Sequence, residues 1–419
     1  KYYAGASWRT DGSSRLSRDN RWGHFWSLSG AWRVSAEKFM EATSSWLTDM
    51  KLRLSYGVNG TLPSGYYPYQ ALSSLTSSYD DQPGILQSQI ENNELTWESN
   101  HNFNAGLDLS FLDNRISLTL EYYRRTTKDL LYARPLSITT GFSSYLANIG
   151  KMRNEGVELE LSTLNFESKN FSWTTSLNLS HNRNKILRLD GELSEVISNP
   201  FIRKVGKSYY TFYLIEFAGI NPENGMPQFY SNKRDENGNL QRDLVYDPND
   251  AERVELGAAE PKLTGSIGNY FRYRWFDLGF NLNFSTGGKT YDSAASKMEH
   301  GGDGKLNIPT YYRNRWMEEG DRTSIERFVI DRNISMNSYA TSRRIHSRNF
   351  IRLKSLTFGA TLPKEWTRRV FINKARVFLS GNNLLTWAKY KEYDPEYGTM
   401  VDWSTPPLKT ITFGLEVNF

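Results

Sequence analysis

Apolar and polar residues alternate with a period of two in stretch after stretch of this chain. In LKTITFGLEVNF, Leu408 to Phe419, the apolar set is Ile411, Phe413, Leu415, Val417 and Phe419, with Thr412, Gly414, Glu416 and Asn418 between them. Phe103, Ala105, Leu107, Leu109 and Phe111 alternate with Asn102, Asn104, Gly106, Asp108 and Ser110. KLRLSYGV, FSWTTSLNLS and FDLGFNLNF repeat the pattern around Leu54, Leu177 and Phe280. Each reads as a strand wetted on one side. Further segments near 1–9, 21–34, 115–130, 151–163, 260–274, 346–362 and 372–387 bring the expected total to about twelve, several long enough to cross a bilayer at a tilt. In FIRLKSLTFGATL the apolar phase slips between Leu353 and Leu356, which predicts a bulge or a strand partly outside the membrane.

The connections sort into two lengths. FLDNR, STLNFESKN and the RYRW junction are brief, whereas 61–96, 184–259, 288–345 and 388–407 are extended. Outer-membrane barrels have short periplasmic turns and long extracellular loops, and a soluble sandwich has no reason to alternate so. Counted back from the C-terminus, the alternation puts Phe419 on the short-turn side. The expected fold is therefore all-β, a transmembrane antiparallel β-barrel whose terminal strand turns Phe413, Leu415, Val417 and Phe419 toward lipid, with the last ring at the interface. The alternative for that segment alone is the edge of a sandwich.

Composition sharpens this picture without replacing it. No run of eighteen apolar residues occurs, which excludes membrane-spanning helices, while strands wetted on one side average their hydropathy away. Of the 419 residues 14% are aromatic, including 25 Tyr and 12 Trp, a store suited to interfacial girdles and to loops that hold sugars or peptides. With no cysteine there is no disulfide framework, thiolate metal site or Cys nucleophile. The net charge of +5 comes from scattered Lys and Arg with no basic stripe, so no nucleic acid partner is expected. The chain starts without Met or a leader and already reads as strand at KYYAGASWR, as a fragment or one piece of a cut protein would.

No motif carries catalysis, and the chain is not expected to be an enzyme. STGGKT, Ser285 to Thr290, matches the end of a phosphate loop, but Asn283 stands where its first glycine belongs and YDSAASK does not read as the required helix. A glycine turn leaving a strand accounts for it better. DENGN and DPND lack the spacing of a calcium loop, and Asn237-Gly238 is a turn pair. His24, His101, His181, His300 and His346 form no zinc-spaced set, so neither metal nor cofactor is expected. Glu158 and Glu160 share one strand face and read as lumen-lining residues. The long loops remain as the candidate binding surface, through Tyr66, Tyr67 and Tyr69, through Tyr311, Tyr312 and Trp316, and through Tyr393 and Trp403. Tyr209, Tyr210, Phe212, Tyr213, Tyr390 and Tyr397 belong to the same loops. Rings with a polar tip suit sugar faces and peptide side chains, and they equally suit the private core of a long loop.

RTDGSSRL followed by NRWGHFWSLSGAWRVSAEKF and KLRLSYGVNG resembles the mid-barrel of the SusC/RagA class of TonB-dependent outer-membrane transporters. The likeness continues through TWESNHNFNAGLDLSFLDNRISLTLEYYRRTTKDLLY, NEGVELEL, NPENGMPQFY and NFIRLKSLTFGATLP to RVFLSGNNLLTWAKYKEYDPEYG and ITFGLEVNF. The resemblance implies a 22-stranded barrel filled by an N-terminal plug, a SusD-like surface lipoprotein closing the mouth, and import of oligosaccharides or peptides energised through TonB, in a Bacteroidetes-like outer membrane. Residues 1–419 would then be the C-terminal portion of the barrel, about 12 of those strands, with the plug and the N-terminal strands absent from this chain, as after nicking at a loop tip. Two other functions remain open: a passive porin complete in itself, and a surface adhesin or enzyme on a β scaffold.

Overall fold

The computed structural model describes residues 1–189, 191, 193–299, 307–329 and 339–419. They divide into two compact units, Lys1–Ser194 with Lys204–Lys207, and Glu195–Arg203 with Ser208–Phe419. The first unit is an antiparallel meander of β1 (Tyr2–Gly12), β2 (Trp22–Arg33), β3 (Leu47–Thr61), β4 (Glu98–Phe111), β5 (Ile116–Lys128), β6 (Lys151–Glu167) and β7 (Phe171–Arg188). The second carries β8 (Leu263–Tyr273), β9 (Phe276–Thr286), β10 (Phe350–Thr361), β11 (Lys374–Ala388) and β12 (Thr410–Asn418), again each paired to the next. The wall strands are thus the twelve that the alternation predicts.

Register keeps like with like. In the first unit Leu52, Leu107, Leu120 and Leu159 lie side by side on one face, and Lys51, Asp108, Thr119 and Glu160 on the other. A slip of one residue would exchange the two faces, so the alternation itself locks the pairing. Among the described residues nothing packs over the apolar face: Leu54 is 58% exposed, Phe358 50% and Phe413 73%. A water-soluble sheet buries that face on a core, and this one leaves it for a different solvent. Aromatic rings edge it at both ends. In the first unit Trp26 and Tyr56 meet at 5.6 Å near one end, and Tyr2 and Trp32 at 6.4 Å near the other. In the second, Trp275 packs on Phe276 and Trp366 at 5.3 and 5.2 Å.

The connections alternate as expected after the first pair. Arg274 and Trp275 alone join β8 to β9, Leu112 to Arg115 join β4 to β5, and 168–170 join β6 to β7. STLNFESKN is thus mostly strand, because pairing continues through Phe166 with Trp173 and Glu167 with Ser172. On the opposite end run 62–97, 129–150, 189–262, 287–349 and 389–409. The phase slip in FIRLKSLTFGATL is a bulge: Leu353 pairs with Leu282 and Ser355 with Asn281, leaving Lys354 as the extra residue. STGGKT is a turn, with Gly287 at φ 86 after β9. SAASKM, however, is a short helix, since Asp292 caps it by accepting from the Ala295 N–H at 2.7 Å.

Two adjacent residues test the faces. Leu54→Arg is expected to lower the unfolding free energy of the whole protein in liposomes by about 2–4 kcal/mol, the cost of a cation near the bilayer midplane. Ser55→Arg, one step along β3 on the polar face, should cost under about 1 kcal/mol.

Candidate functional site

The polar face is a network of paired charges and amides. Arg53 donates to Asp108 at 2.8 and 3.0 Å and reaches Glu121 on the next strand at 3.6 Å. It does so across Gly106, where a Cβ would come within 2.7 Å of the guanidinium. Arg376 and Asp277 make the same kind of bridge over Gly359 in the second unit, at 2.6 Å. Glycine on the middle strand lets a long side chain lie flat and pair two strands away. Toward the long-loop end of the first unit the face becomes rich in asparagine. Asn102 donates to Asn59 and Asn184 to Asn154, at 2.7 and 2.8 Å, and Arg125 and Thr127 both donate to the buried Asn100. Glu158 and Glu160 stand on this face, Glu158 accepting from Ser180 at 3.2 Å.

The loop aromatics fall into two kinds. In the first unit Tyr66 and Tyr67 are exposed, the Arg15 guanidinium lies 4.7 Å above the Tyr66 ring, and the half-buried Tyr69 accepts from Gln70 through its hydroxyl. In the second unit Trp403 is 53% exposed beside Lys297, and Tyr393 is half-buried. Tyr312, in contrast, is 2% exposed, stacked on Phe328 with its hydroxyl on Glu326, and burial pushes that hydroxyl far above the ordinary tyrosine range. Its neighbour Tyr311 donates to Glu299, and burial raises its pKa to about 12. Trp316 donates its indole N–H to the Pro222 carbonyl at 2.9 Å and lies against Gly225. Phe212 joins Phe201, Leu214, Ala259 and Tyr291 in a loop core, with Tyr210 edge-on to Phe201 at 5.4 Å. The structure therefore uses Tyr312, Trp316 and Phe212 to hold the loops and presents Tyr66, Tyr67 and Trp403 to the outside.

Several residues that organise these loops carry no local sequence signal. Arg352 on β10 is 2% exposed and grips Asp394 at 2.6 Å, while Lys354, set free by the bulge, reaches Glu396 at 2.9 Å. Glu326 accepts from Arg343, and Glu299 is ion-paired with Arg344. The acid tip Asp235 is engaged by the N–H groups of Asn237 and Asn239, and Asp247 caps the turn Pro248–Asp250. His24 contacts Thr10, His101 contacts Tyr56, His181 lies on β7, and His346 stacks on Tyr390; His300 lies outside the described residues.

Tyr312→Ala should lower the stability of the second unit by about 3–5 kcal/mol, as loss of a buried aromatic does. Trp403→Ala should leave it within about 0.5 kcal/mol, measured by denaturant unfolding of the whole receptor.

The wall and its loops match known proteins. The family model described as TonB dependent receptor-like, beta-barrel, matches residues 2–384. TonB-dependent receptor P3 of Formosa agariphila is 31% identical over 453 residues, covering 100% of this chain and 44% of that receptor. TonB-dependent receptor SusC of Bacteroides thetaiotaomicron is 29% identical over 434 residues, covering 98% of this chain and 41% of SusC. The solved RagAB peptide transporter superposes with a TM-score of 0.85 at 29% identity over 100% of this chain and 46% of that one. The chain thus spans less than half the length of the curated relatives it matches. Its twelve two-faced strands, with that match over most of its length, make this chain a member of the TonB-dependent receptor β-barrel family.

Proposed function

We propose that this chain is the C-terminal barrel portion of an active importer in the outer membrane of a Gram-negative bacterium. The rest of its length would supply the remaining strands, a plug and the segment that contacts TonB. Oligosaccharides or peptides enter from the long-loop side, and a SusD-like lipoprotein closes over that mouth. The observation that carries the reading is the two-sided wall: an exposed aliphatic face edged by aromatic rings, and an opposite face of ion pairs and amides. A surface built that way separates lipid from an aqueous interior, and the resemblance to SusC and to the RagAB peptide transporter supports energised uptake of nutrients over passive diffusion.

Tyr66, Tyr67 and Tyr69 of the first unit and Tyr393 and Trp403 of the second are the loop rings proposed to meet the solute, while Tyr311, Tyr312 and Trp316 hold the loops of the second unit together. The amide-rich wall adds hydrogen-bonding groups that suit sugar hydroxyls and peptide bonds alike.

Cells carrying the whole transporter should take up labelled oligosaccharide or peptide from the medium, and uptake should fall at least about tenfold when TonB is deleted or the proton gradient collapsed. Uptake that persists at the same rate in both conditions would make the protein a passive porin.

A further inference from the structure

The loop between β11 and β12, residues 389–409, is held down by three sets of contacts, all within the second unit. Its middle is paired by backbone: Tyr291 and Asp292 run parallel to Met400 and Val401, and the Tyr291 N–H donates to the Thr399 carbonyl at 3.1 Å. Side chains reinforce the pairing, Thr290 donating to the Gly398 carbonyl and Ser293 to that of Val401, at 3.1 and 2.7 Å. From the wall, Arg352 and Lys354 hold Asp394 and Glu396. At the start of the loop Tyr390 donates to Asp292, which is 1% exposed.

Under that last contact lies His346. It sits on the strand Ile345–Ser347, paired with Thr290, and its ring stacks on Tyr390 at 3.7 Å between centroids and 3° between planes. The ring pins Tyr390 in the position from which its hydroxyl meets Asp292. Histidine is the side chain whose ordinary pKa puts its charge change between pH 5 and 8.

We propose that residues 389–409 form an acid-released strap, closed at neutral pH with Tyr390 held between His346 and Asp292, and freed when His346 takes a proton. His346 and Tyr390 are both half-buried, and full solvation of the imidazolium draws the ring out of the stack, so that the Tyr390 hydroxyl loses its place on Asp292. Burial holds the His346 pKa below the usual imidazole value, and Arg344 pushes the same way, while Asp292 opposes both. The folded value is depressed, so the stabilisation is complete above the unfolded imidazole pKa and is lost as pH falls through the folded one. The other charged groups on the clasp are Glu392 near Tyr390, the pairs Arg352–Asp394 and Lys354–Glu396, and Lys297–Asp402. The strap would act in this way whether or not the transporter works as an importer.

Hydrogen exchange of the whole receptor in detergent, corrected for intrinsic rates and compared at about pH 7.5 and about pH 5, tests it. Residues 397–403 should lose protection about tenfold in the wild type at the lower pH. His346→Phe keeps a flat ring without a proton and should hold its protection to within about twofold. Tyr390→Phe, lacking the bond to Asp292, should exchange fast at both pH values. Peptides from β8 and β9 should stay protected throughout. Wild-type protection indifferent to pH, a His346→Phe variant that responds as the wild type does, or a loss spread equally into β8 and β9 would overturn the strap.

Discussion

Inside a bilayer no water is present to hydrogen-bond a stray peptide group, so each backbone N–H and C=O of a spanning strand must find its partner on a neighbouring strand. Most of what the chain does follows from that constraint. Long uninterrupted antiparallel ladders such as the one between β5 and β6 leave the side chains free to serve two solvents at once. Leucine, valine and aromatic rings take one face, and the other is left to groups that would be ruinous in hydrocarbon. Each strand is therefore amphipathic across its width, and none is apolar along its length.

The wet face shows how a thin wall carries charge. Arg53, Asp108 and Glu121 span three strands, and Arg376 and Asp277 reach across β10, because Gly106 and Gly359 clear the space between them. Paired charges and paired amides satisfy much of one another on this face. Above it, the loops of the second unit have a core of their own around Phe212 and Tyr291, and buried ion pairs fasten them to strand ends. Breaking one partner of such a pair leaves an uncompensated buried charge, which is why these fastenings hold a defined conformation.

The wall was legible in the chain because its two faces meet different solvents, and a contrast in solvent writes a period-two code. Even the bulge at Lys354 could be read, from two leucines falling out of phase. The loops carry no such code. Nothing local separates Tyr312, sunk against Phe328 and Glu326, from Trp403, which is open, since burial there depends on residues far along the chain. Arg352 and Asp394, 42 residues apart, are likewise invisible as a pair until the fold brings them together. The helix Ser293–Met298 departs from the reading of YDSAASK: its cap at Asp292 is a local signal, whereas the bond of Asp292 to Tyr390 is made only in the fold.

The most direct test of the two-faced wall is the accessibility of single nitroxide labels stepped along β4 in the whole receptor, reconstituted in lipid. Labels at Phe103, Leu107 and Leu109 should respond to oxygen dissolved in the bilayer and be shielded from a water-soluble nickel reagent. Labels at Asn104, Asp108 and Ser110 should show the reverse. An alternation of opposite phase, or no alternation at all, would contradict the orientation on which the barrel and its function depend.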